Sequence, residues 1–165
     1  MDKLELGLCQ SLNQYSDIEL IRVFFSLISR LGNGVFWYIL MLLLPVAYGW
    51  SAIETSINML VTGLIGVAVY KLLKTTLVRQ RPYIQHSSIV QGTEALDYYS
   101  FPSGHTLHAF SFSLIAINSY PELALVLVPF TLLVAMSRVV LGLHYPTDVL
   151  VGAALGSSLA MMAIV

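Results

Sequence analysis

Cysteine is all but missing from this 165-residue chain: Cys9 stands alone, so neither an intrachain disulfide nor a cysteine-built metal site can form. Charge is scarce too. Asp, Glu, Lys and Arg make up 10% of the residues and sum to a net −1, which leaves no broad basic surface to neutralise a nucleic-acid backbone. Internal repeats and low-complexity stretches are absent. So is a basic leader with a compact apolar core and a small-residue cleavage site. Asp2 and Glu5 stand where the basic residues of a signal peptide belong, so Met1 to Gly34 is expected to be retained. No cluster of carboxylates or histidines suggests a metal site, and no cofactor or obligate protein partner is expected.

What the chain has in excess is apolar side chain. Hydrophobic residues are 57% of the total and the mean hydropathy is +0.79, which leaves too little polar material to cover a soluble core. Lipid is the implied solvent, and residues 1–165 read as one all-α, membrane-embedded domain. Four or five segments approach the roughly 20 residues a spanning helix needs: 35–50, 54–73, 104–119, 123–141 and 147–165. Ser51 and Glu54 have the spacing of a capping box before the second, and Pro121 and Pro146 are suited to the first turns of the fourth and fifth. The first and third are short for a full span. Residues 17–30 set Ile18, Ile21, Phe25 and Ile28 near one face but are interrupted by Asp17, Glu19, Arg22 and Arg30. Residues 1–33 therefore read either as an interfacial helix or as a first span, giving five or six spans in all. Gly152 and Gly156 have the spacing of close helix packing.

Polar residues concentrate in three places. Ionisable groups at the ends of membrane helices are costly, so their positions narrow the functional question. Lys74 to Pro82 follows the second segment. Lys74 and Arg81, about two helical turns apart, would share a side if the helix continued, although Pro82 turns the chain there. These cations either snorkel to the interface or bind an anion. Phe101-Pro102-Ser103-Gly104-His105 precedes an apolar helix. It can present backbone N–H groups to an anion, with Gly104 permitting close approach; Ser103 can equally be an N-cap and His105 an interfacial residue. Ser137-Arg138 closes the fourth segment, with His144 and Asp148 across the next turn. There a carboxylate in the first turn of the last helix can reach back to the imidazole and make it a competent nucleophile; an unrelated helix cap is the alternative. Because the link at 119–121 is short, successive helices alternate in direction. The polar loop 75–102 and the turn 142–146 then emerge at one membrane face, where all three clusters meet.

Lys74-x6-Arg81-Pro82, Pro102-Ser103-Gly104-His105 and Ser137-Arg138-x5-His144-x3-Asp148 together resemble the three signature motifs of the type 2 phosphatidic acid phosphatase superfamily, in its bacterial membrane-bound branch. The resemblance covers residues 74–148. It implies that His144 attacks phosphorus, oriented by Asp148, and forms a phosphohistidine. His105 would protonate the leaving oxygen and then help activate water. Lys74, Arg81 and Arg138 would clamp the phosphoryl oxygens with Ser103 and the Gly104 N–H, taking the place of a metal ion. His108 has no family role and reads as a packed or pocket-lining residue, and His86 as a loop residue.

The same motifs resemble those of soluble acid phosphatases and vanadium-dependent haloperoxidases; the apolar helices favour a lipid phosphate or pyrophosphate. Undecaprenyl pyrophosphate is preferred over phosphatidylglycerol phosphate, phosphatidic acid or diacylglycerol pyrophosphate, since so small a scaffold has little with which to reject a long single chain. The alternatives are a phosphotransferase with an isoprenyl pyrophosphate donor and a non-catalytic lipid-binding protein. Four of the eight Lys and Arg residues lie at 71–81, which by charge count would put the site in the cytoplasm. The resemblance instead implies the bacterial inner membrane with the site facing outward, and it is preferred because these cations have a phosphate-binding reason to be there.

Overall fold

The computed structural model describes residues 3–164; Met1, Asp2 and Val165, the last residue of the predicted 147–165 segment, lie outside the described residues. Among the described residues eight α-helices follow one another: α1 Lys3–Asn13, α2 Glu19–Leu31, α3 Val35–Tyr48, α4 Ala52–Leu77, α5 Pro82–Gln85, α6 Gly104–Ser119, α7 Ala124–Val140 and α8 Pro146–Ile164. There is no strand among the described residues. One isolated bridge, between Gln80 and Tyr99, ties the polar loop across itself.

Local chemistry explains most boundaries and corrects three. The helix expected over 54–73 runs on through Lys74 to Leu77. Nothing breaks it there, and the hydroxyls of Thr75 and Thr76 bond back to carbonyls one turn earlier instead of competing for a turn. Val78 then ends it in the left-handed conformation. The expected capping box fails, because Ser51 has helical backbone angles and makes no side-chain cap bond. Pro121 opens a short 3-10 turn, Pro121–Leu123, so α7 proper begins only at Ala124. Pro146 does start α8.

α4, the stretch Pro121–Val140 and α8 are each long and apolar enough to cross a membrane. The pair α2–α3, bent by 51° at Gly32–Gly34, passes the same test only as a unit. Among the described residues length and composition thus give three candidate spans, or four with the bent pair, so the five or six read from sequence are not all matched by a helix that passes this test. The 16-residue α6 would rise only about 24 Å. It lies inside the bundle, against α4, α7 and α8. Around it the outer faces carry exposed Leu42, Val46, Leu125, Leu150 and Met162, the reverse of a water-soluble surface and right for lipid.

Two packing devices position the site. Gly152 and Gly156 let α8 lie directly on α6: a Cβ at Gly152 would stand 2.6 Å from the Ser103 carbonyl, and one at Gly156 would strike that of Leu107. The Ser103 N–H then donates to the Asp148 carbonyl at 3.0 Å, tying the start of α6 to the start of α8. Beneath lies an aromatic core. Trp37 packs against Phe112 and Phe130, with centroids 5.4 and 5.5 Å away.

Candidate active site

At one end of the bundle a cavity of about 710 Å³ opens among α3, α4, α6 and the turn after α7. Its polar end is lined by Lys74, Arg81, Gly104, His105, Arg138 and His144, members of all three sequence clusters. Its other end is apolar, with Trp37, Met41, Leu60, Leu64 and Val67. Ser103 and Asp148 are fully buried behind this lining. The Ser103 hydroxyl is used as the α6 N-cap, accepting from the Thr106 N–H and pairing with the Thr106 hydroxyl at 2.9 Å.

His144 sits on a tightly specified turn. Gly142 has φ of 70°, and a Cβ there would lie 2.6 Å from the Val90 carbonyl, so glycine is required. The backbone N–H groups of Leu143 and His144 both donate to the Arg138 carbonyl at 3.0 Å. An Arg81 N–H reaches His144 Nε2 at 3.3 Å. A guanidinium only donates, so Nε2 must present its lone pair and the ring proton belongs on Nδ1, which faces Asp148. Burial, with Arg81, Arg138 and Lys74 nearby, holds the imidazole pKa well below its ordinary value. The ring is thus neutral near pH 7, with an unprotonated Nε2 beside three cations.

Asp148 does not reach His144 as closely as the spacing suggested. Its Oδ2 is 3.7 Å from Nδ1, a charge-pairing distance beyond a good hydrogen bond. The same oxygen accepts the Tyr145 N–H at 2.8 Å, and Oδ1 is taken by Arg79 at 2.5 Å. Among the described residues, Nδ1 of His144 and Nε of Arg138 are buried without a hydrogen-bond partner.

Lys74 and Arg81 meet at Asp97 although the helix does not run between them. Arg81 is extended, ahead of Pro82, and the polar loop brings Asp97 to both. Asp97 Oδ1 lies 2.6 Å from Lys74 Nζ and 2.7 Å from an Arg81 nitrogen. The Tyr99 carbonyl accepts from Lys74 at 2.8 Å and the Leu143 carbonyl from Arg81 at 2.7 Å. His105 bonds to Asn33 through Nε2, and Arg138 donates to the Ser29 hydroxyl. His108 lines the cavity, its nitrogens 2.8 Å from the Gly104 carbonyl and 3.1 Å from that of Gly63. His86 packs edge-on against Tyr145. Among the described residues no three His, Cys, Asp or Glu side chains are grouped to hold a metal ion.

Asp97, Asn33, Ser29 and the pairing of Arg79 were not identified from sequence. A lone asparagine between Gly32 and Gly34 in an apolar stretch was the available signal for one of them. The model of the PAP2 superfamily matches residues 55–165, which include every motif residue just described. The chain belongs to the PAP2 superfamily. Decaprenylphosphoryl-5-phosphoribose phosphatase of Mycobacterium tuberculosis is 38% identical over 92 residues, covering 55% of this chain and 49% of that protein. Undecaprenyl-diphosphatase BcrC of Bacillus subtilis is 34% identical over 90 residues, covering 54% and 46%. The chain thus spans about half the length of these curated relatives. The crystal structure of Aquifex aeolicus LpxE superposes with a TM-score of 0.85 at 25% identity, over 99% of this chain and 96% of that one. The transmembrane PAP2-type phosphatidylglycerolphosphate phosphatase of Bacillus subtilis shares the fold, with a TM-score of 0.75 at 23% identity, over 98% and 85%.

Proposed function

We propose that this PAP2 chain is a membrane lipid phosphatase working through a phosphohistidine on His144. The observation that carries the reading is the two-ended cavity, with three cations and two histidines at one end and an apolar slot between α3 and α4 at the other. A phosphorylated lipid has the same two ends. With the phosphoryl group among Lys74, Arg81 and Arg138, Nε2 of His144 attacks phosphorus as the bond to the lipid-side oxygen breaks. His105 gives that oxygen a proton. The cations stabilise charge on the equatorial oxygens, assisted by the Gly104 N–H. Water, relieved of a proton by His105, then attacks the phosphohistidine and releases phosphate. Ser103 shapes the anion-binding turn through its cap, and Asp148 steadies the imidazolium formed during attack.

Undecaprenyl pyrophosphate is the preferred substrate. The apolar slot suits one long chain, and two relatives bear names denoting prenyl-linked substrates. We assign the site to the outer face of a bacterial inner membrane, because Lys74 and Arg81 line the cavity for phosphate and Arg79 pairs with Glu5 and Asp148, which makes the cations at 71–81 poor markers of topology. The test is phosphate release by purified protein from undecaprenyl pyrophosphate, phosphatidylglycerol phosphate, phosphatidic acid and diacylglycerol pyrophosphate, with excess chelator, vanadate and a lipid acceptor as separate arms. Release that survives chelator, stops with vanadate and needs no acceptor supports the reading. Transfer only to an acceptor would make the chain a phosphotransferase, and no release from any lipid would leave a binding protein.

A further inference from the structure

We infer that Arg79 is a positioning residue for the catalytic pair: fastened to Glu5 on α1, it holds the Asp148 carboxylate by one oxygen and sets how strongly that carboxylate acts on His144. This rests on the phosphatase reading above. A snorkelling arginine would extend into the interface, but Arg79 turns inward just after α4. One guanidinium nitrogen lies 2.5 Å from Asp148 Oδ1 and 2.8 Å from the Thr147 hydroxyl, and the other lies 2.7 Å from Glu5 Oε2. The plane sits 4.0 Å above the Tyr145 ring. The Thr147 hydroxyl also bonds Glu5, closing the network.

The charges around the pair decide what Arg79 does. Lys74, Arg81 and Arg138 face His144, with Asp97 neutralising part of the first two and His105 across the cavity. Asp148 is the carboxylate at His144 Nδ1, and Arg79 is its ion-pair partner. Glu5 draws Arg79 the other way. Remove the Arg79 charge, and a fully buried Asp148 has His144 as the cation within reach, so protonation of the imidazole becomes easier. α1 lies outside the stretch matched by the family model. Its Leu4 and Leu8 are exposed, while Cys9 is buried. A helix with an apolar outer side is thereby coupled to the catalytic pair through one arginine.

The experiment is the pH profile of kcat/KM for para-nitrophenyl phosphate in one detergent, which reports the free enzyme's groups. In Arg79→Gln the acid limb is expected to move up by about one pH unit and kcat to fall about tenfold, while Arg79→Lys returns the limb to its wild-type position. A lowered kcat with an unmoved limb would make Arg79 merely structural and overturn the inference. Should Arg79→Gln fail to fold, Glu5→Gln decides. With Glu5 uncharged, Arg79 is drawn wholly to Asp148 and the limb moves down; an unmoved limb there overturns the inference as well. Wild-type protein that releases no phosphate from aryl or lipid phosphates defeats the phosphatase reading instead, so the two failures are distinct.

Discussion

Residues 55–165 hold the family match and every group proposed to act on phosphorus, whereas residues 3–48 hold none of those groups and yet help to line and close the cavity. The second region works through single polar contacts. Asn33 meets His105, Ser29 meets Arg138, Glu5 meets Arg79, and Asn13 and Ser16 both donate to the Val140 carbonyl below the catalytic turn. Most of these partners are uncharged. An amide or hydroxyl can fix a cation or an imidazole without cancelling the charge that a phosphoryl group needs. On the phosphatase proposal the first region supplies the reacting groups, and the second adds contacts that orient them.

The largest effects should come from breaking the first region. His144→Ala is expected to lose all measurable phosphate release from lipid and aryl phosphates alike, because the proposed phosphohistidine forms on its Nε2. His105→Ala should be selective. It should lose about 10²–10⁴-fold on a lipid phosphate monoester such as phosphatidic acid, whose alkoxide leaving group needs the proton, the usual range for acid catalysis, and much less on an aryl phosphate or a lipid pyrophosphate, whose leaving groups are already stable anions. Equal losses on both would move His105 to phosphate binding or to hydrolysis of the phosphohistidine. The wild-type pH profile tests the same site. Because burial and three cations depress the His144 pKa, the ring stays unprotonated and active as pH falls through the ordinary value of 6.5. An acid limb at or above that value would mean that Asp148 dominates over the cations.

A smaller effect is expected from the second region. Asn33→Ala removes the partner of His105 and leaves the acid itself in place. It should therefore repeat the selectivity of His105→Ala at a lower level, a loss of roughly tenfold on a lipid phosphate monoester such as phosphatidic acid, in line with about 1–1.5 kcal/mol for a net hydrogen bond. Aryl phosphate turnover should hardly change. If both substrates suffer equally, Asn33 acts on the α2–α3 bend and not on the acid.

These two regions also differ in how far the chain could be read in advance. The six cavity-lining motif residues were legible because a membrane makes buried charge rare, so three polar clusters at helix ends carry information. Ser103 and Asp148 were legible in position and only partly in action, since a cap and a carboxylate one layer back are specified by contacts that spacing does not show. Glu5–Arg79 and Arg79–Asp148 join residues 74 and 69 positions apart and belong to no helical or loop period. The helix boundaries erred for local reasons. The expected cap at Ser51 depended on backbone angles, and the length of α4 on threonines whose hydroxyls could fold back along the helix.

The smallest predicted effect concerns Asp97, a charged supporting contact that, unlike Glu5, belongs to the family-matched region. Its carboxylate spans Lys74 and Arg81 at 2.6 and 2.7 Å, so an incoming phosphoryl group must compete with it for both cations. Asp97 is also partly exposed, at 38% of its side chain, although Lys74 and Arg81 are buried, so water screens these pairs in part. Removing that competition in Asp97→Asn should therefore tighten inhibition by vanadate only about fivefold, the equivalent of about 1 kcal/mol. The asparagine keeps the backbone carbonyl that accepts from Arg81 Nε at 3.0 Å, so the loop should stay in place. The opposing force is repulsion between two cations that have lost their shared anion. Titration of phosphate release with vanadate separates the two. Tighter inhibition shows that Asp97 competes with phosphate, whereas weaker inhibition shows that it holds Lys74 and Arg81 together and acts as the neutral contacts of the first 48 residues do.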